Sequence, residues 1–112
     1  MALPGALDPV EAFRRALCRY LHDRGAILFS MVEATGQKTV KVDLIALYRR
    51  HEAEETGYLR FEHVLRALAE CGDPCTERLR EIGVEEIEAG PRGGHVVLKV
   101  AALRKLKCEF IA

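Results

Sequence analysis

The 112-residue chain predicts an α+β fold, mainly α, on three observations. Apolar residues recur at helical spacing, most clearly Phe61, Val64, Leu65 and Leu68 at i, i+3, i+4 and i+7. Two Asp-Pro pairs, Asp8-Pro9 and Asp73-Pro74, have the form of helix starts, with Asp as N-cap and Pro in the first turn where its missing N–H costs nothing. Toward the C-terminus the pattern changes to two β-type runs, VEEIEA and HVVLKVA, around GPRGG, which predicts an antiparallel hairpin over 84–101.

In chain order, Asp8-Pro9-Val10-Glu11 opens a first helix whose apolar positions Val10, Phe13, Leu17, Tyr20 and Leu21 lead to Gly25, a plausible stop. AILFSMVEA, 26–34, is expected as a second helix ending near Gly36, although so short an apolar run also suits a buried strand. KTVKV alternates and suits a short strand over 38–42. Asp43 can cap a helix over 43–54, with Leu44, Ile45, Leu47 and Tyr48 inward, and Thr56-Gly57 breaks it. GYLR can be briefly extended. A helix over 61–71 stops at Gly72, and Asp73-Pro74 restarts a short one over 75–82 that ends at Gly83. The tail after 101 allows a last short helix or strand.

A chain of this length suits one domain, 1–112, able to bury about two-thirds of its unfolded surface, so no cofactor is needed for folding. No run of 18 apolar residues is present, and the N-terminus lacks a basic n-region and an apolar h-region, so the expectation is a cytoplasmic protein without a membrane segment. Asn is absent and Gln37 is the one glutamine, a scarcity of thermolabile amides that points to a heat-adapted source. That bears on Cys18, Cys71, Cys75 and Cys108. Cytoplasmic thiols usually stay reduced, but hyperthermophile interiors are an exception.

Seventeen basic and 17 acidic residues cancel, so no general attraction to nucleic acid exists and any such binding must be local. From Arg92 to Lys107 there are five basic residues and no acidic one, whereas Glu77 to Glu88 holds five Glu against two Arg.

The order of elements over 43–101 (helix, extended GYLR, helix, tight turn, helix, Gly-tipped hairpin) resembles the winged helix-turn-helix family. LREIGVEEIEAGPRGGHVVLKV looks like the end of a recognition helix, a first wing strand, a wing loop and a second wing strand. A second register is open, with 26–35, 43–54 and 60–71 as the three helices, 39–42 as the strand and 75–82 as an insert. In both, the helix over 9–24 is an addition, and in the first register the helices over 9–35 all are; in this family such additions commonly build a homodimer interface, and 102–112 is a C-terminal tail.

The resemblance implies a transcription regulator or transcription-associated factor that contacts double-stranded DNA through a helix in the major groove, supported by the wing. In the first register the contacts are Thr76, Arg78, Arg80, Arg92 and Lys99; in the second they are Arg60, His63 and Arg66. Glu77 and Glu81 on one helix, and Glu62 and Glu70 on the other, oppose phosphate. The competing expectation is a winged-helix module for protein–protein assembly, which zero net charge and the acidic stretch 77–88 favour.

CGDPC, 71–75, reads as a turn between two helices. Cys18 and His22, one helical turn apart, could join Cys71 and Cys75 in a Cys₃His zinc set, but C-x₃-C is not the usual C-x₂-C knuckle and no metal is assigned. Cys71–Cys75 and Cys18–Cys108 disulfides remain open. No nucleophile elbow, P-loop, H-E-x-x-H or dinucleotide fingerprint is present, so no catalysis is expected.

Overall fold

Asp8 starts the molecule as the sequence predicts: its Oδ1 accepts the Val10 N–H at 2.8 Å, and Pro9 opens α1. The computed structural model describes residues 5–91 and 93–108. Helix α1 runs without a break from Pro9 to Thr35, about 40 Å at 1.5 Å per residue. Gly25 therefore does not end it. A Cβ there would meet only Leu21 and Phe29 of the same helix at ordinary distances, and the left-handed stop falls on Gly36, whose N–H bonds to Val32 O.

Strand β1, Thr39–Asp43, follows. The helix expected over 43–54 is two pieces, α2 (Leu44–Tyr48) and α3 (Ala53–Thr56). Only Leu44 and Leu47 anchor α2 in the core, while Ile45 and Tyr48 are 48% and 39% exposed rather than inward. Beyond Tyr48 the chain turns so that His51 Nε2 reaches Tyr58 O at 2.6 Å. Thr56, buried, donates to Glu52 O and accepts the Tyr58 N–H, while Tyr58 Oη donates to Leu7 O. A tertiary hydrogen-bond hub thus replaces about one turn of helix, over 49–52. Gly57 stops α3 at φ 83°, and a Cβ there would strike the Ala6 backbone.

Helix α4, Phe61–Cys71, and helix α5, Asp73–Glu81, are separated by Gly72 alone. Asp73 lies inside α5 and makes no side-chain cap, so the predicted start at 75 comes two residues early. The hairpin is β2 (Val84–Gly90) and β3 (Gly93–Lys99), followed by the short α6 (Val100–Leu103). The three strands form one antiparallel sheet in the order β1-β3-β2, with Val40 opposite Leu98, Val42 opposite Val96, and Ile87 across from Val96 on the other side. The sheet's third strand is therefore 39–43, as in the second register. GYLR, expected as that strand in the first register, lies outside the sheet.

The fold is α+β and mainly helical. One core joins the helices to the inner sheet face: Phe13 and Leu17 of α1, Leu44 and Leu47 of α2, Val64 of α4, and Val96 and Leu98 of β3 are fully buried. Each such side chain contributes about 1.5–3 kcal/mol. Phe61 packs its ring against Phe13 at 5.5 Å and Tyr48 at 5.4 Å, tying α4 to α1 and α2. No helix among the described residues is long and apolar enough to cross a membrane.

Candidate nucleic-acid interface

Cys75 and Leu79, one turn apart, are the buried side of α5. At 100° per residue the opposite, solvent side carries Asp73, Glu77 and Glu81 in a stripe, all exposed, with Arg80 beside it. The face that would enter a DNA groove is thus acidic at its centre. Arg78 is turned to one flank, where its Nη1 donates to Asp8 Oδ2 at 2.6 Å. Thr76 is turned to the other flank, donates to Gly72 O at 3.2 Å, and lines a groove against β2. The three predicted α5 contacts therefore do not share a surface.

Arg80 and Lys99 do come together. They line a groove of about 580 Å³ with two further cations, Lys105 and Lys107, over a floor of Ile82, Ala101, Ala102 and Leu106. Among the described residues Glu81 and Glu85 are its carboxylates, leaving an excess of two positive charges. Arg80 belongs to the last turn of α5, and Lys99 ends β3, where its N–H bonds to Gly83 O at 2.7 Å. The tail then folds back: the N–H groups of Lys105 and Leu106 bond to Ala102 and Leu103 O, Arg14 Nη1 donates to Lys107 O, and Cys108 is disulfide-bonded to Cys18. Helix α1 thereby fixes Lys105 and Lys107 against the end of the sheet. Sequence reasoning missed these two lysines. The acid-free run from Arg92 to Lys107 was their one signal.

Arg92 lies outside the described residues. The second register's contacts form no positive stripe either, since Arg60 pairs with Glu62 at 3.2 Å and exposed Arg66 stands one turn from both Glu62 and Glu70. Burial lowers the pKa of half-buried His63, which favours the uncharged imidazole at neutral pH.

The zinc set is overturned. Cys71 and Cys75 form a disulfide with each other, and Cys18 forms one with Cys108, so none of the three sulfurs is available as a thiolate to join His22. Among the described residues no group of three His, Cys, Asp or Glu is arranged to hold a metal. The CGDPC turn is instead a covalently clamped junction between α4 and α5.

Compared with family models, curated proteins and solved structures, the chain matches none.

Proposed function

We propose that the chain is a non-catalytic, winged-helix-like protein that holds double-stranded DNA by its phosphates, as a transcription-associated factor. The observation that carries this reading is the gathering of Arg80, Lys99, Lys105 and Lys107 in one groove. The sheet order β1-β3-β2, with two helices leading directly into the hairpin, supports the winged-helix comparison. Phosphate contacts position a protein without carrying sequence information, and the acidic stripe on α5 opposes base reading through that helix, so binding discriminates little between sequences.

The decisive comparison is between two double variants in a DNA-binding assay. Lys99→Ala with Lys105→Ala should weaken binding about tenfold or more, while Thr76→Ala with Arg78→Ala should change it less than twofold. The reverse order would return the contact to the middle of α5.

The chain is further proposed to pair as a homodimer through the exposed half of α1, where Ile27 and Met31 are 59% and 57% exposed and one turn apart. A cytoplasmic location in a heat-adapted cell is compatible with the two disulfides. The second reading, a protein-docking module without DNA contact, is favoured by Asp73, Glu77 and Glu81 on the outward side of α5, which repel phosphate and suit a basic partner.

A further inference from the structure

A second groove, about 300 Å³, lies between α4, α5 and β2 and shares Glu85 with the lysine-lined groove. Its lining is mainly apolar, with Leu65 and Leu68 from α4, Leu79 from α5 and Ile87 from β2, and its polar members are Thr76, Glu85 and Glu86. Among the described residues strand β2 pairs with β3 alone, so its other ladder edge is unpaired there. That strand carries Glu85, Glu86 and Glu88, all exposed, and no basic residue. An open ladder, an apolar wall and a row of carboxylates meet along one strand.

We infer that this edge docks an extended, basic segment of a partner protein, which adds to β2 as a fourth strand. Main-chain hydrogen bonds to the open edge supply affinity, and alternate apolar side chains seat on Leu65, Leu79 and Ile87. The intervening Lys or Arg side chains then face the Glu row, each opposite-charge cross-strand pair adding to the association. The same carboxylates decide against two other occupants. Pairing β2 with the β2 of a second copy would oppose Glu to Glu, which is destabilising, and a nucleic-acid backbone would meet like charge. A basic strand is the chemistry that fits.

Three labelled ten-residue peptides test this by fluorescence anisotropy against the full chain: one alternating Val and Lys, one alternating Val and Glu, and a Val–Lys peptide with two central prolines that cannot join a ladder. The Val–Lys peptide should bind saturably and the other two at least tenfold more weakly. Glu86→Gln with Glu88→Gln, both exposed, should weaken Val–Lys binding about fivefold, and Ile87→Ser about tenfold, with circular dichroism unchanged. The DNA affinity of these variants should not fall, because Glu86, Ile87 and Glu88 do not line the lysine groove. Failure of the Val–Lys peptide to bind, equal binding by the proline peptide, or indifference to both substitutions would overturn the inference. None of those outcomes touches the DNA reading, which has its own variants.

Discussion

Asp8 serves two elements at once: Oδ1 caps α1 through the Val10 N–H, and Oδ2 receives Arg78 Nη1 of α5 at 2.6 Å. The arginine that the order of elements would aim at DNA is thus tied to the start of a helix 70 residues away in the chain. The hydrogen bond from Arg78 is the leading cause that holds the Asp8 carboxyl below its ordinary 3.8. A depressed carboxyl pKa means that the unfolded chain binds the proton more readily. Its stabilisation is therefore present above about pH 4 and is lost as pH falls through the folded-state value.

Urea unfolding at pH 7 and pH 3 checks this pair. Arg78→Ala should flatten the loss of stability on acidification, by a modest amount because both side chains are nearly half exposed. Asp8→Ala should cost about 1 kcal/mol at pH 7 through the lost cap. An acid dependence unaltered by Arg78→Ala would contradict the assignment.

The disulfides differ in what they enclose. Cys18–Cys108 spans 90 residues and Cys71–Cys75 spans 4. On loop-closure entropy the first contributes about 4–5 kcal/mol and the second about 2 kcal/mol. Cys108→Ser should therefore lower Tm more than Cys71→Ser. It should also weaken DNA binding, since it releases the tail that positions Lys105 and Lys107. Equal Tm losses with unchanged DNA affinity would remove the tail from the site.

The homodimer is tested by sedimentation. Ile27→Glu with Met31→Glu should raise the dimer dissociation constant about a hundredfold or more while leaving the thermal transition of the monomer in place, because both side chains are already exposed. A monomeric native chain would contradict the pairing.

Much of this architecture is legible in the sequence because it depends on local chemistry. Asp8-Pro9 starts a helix, Phe61 to Leu68 face the core at helical spacing, and Gly72 stops α4 in a conformation that L side chains rarely adopt. Errors arise where distant contacts decide. Gly25 looks like a stop, yet Phe29 and Val32 beyond it pack on the core and carry the helix onward. The chain from Arg49 to Glu52 lacks Gly and Pro, and the break there is set by the bond between His51 and Tyr58. The lysine groove was half legible: Arg80 and Lys99 could be named, but the path that brings Lys105 and Lys107 beside them depends on a disulfide across 90 residues.

The most direct measurement is fluorescence anisotropy of the native protein with mixed-sequence duplex DNA across a salt series. With about −0.9 in the log–log slope for each neutralised phosphate, four cations set a limit of roughly −3.6, and the two carboxylates in the groove place the expected slope between about −1.8 and −3.6. Binding with that slope, lost in Lys99→Ala with Lys105→Ala, is the predicted result. Absence of binding at low salt would contradict the DNA reading and leave the acidic face as the functional surface.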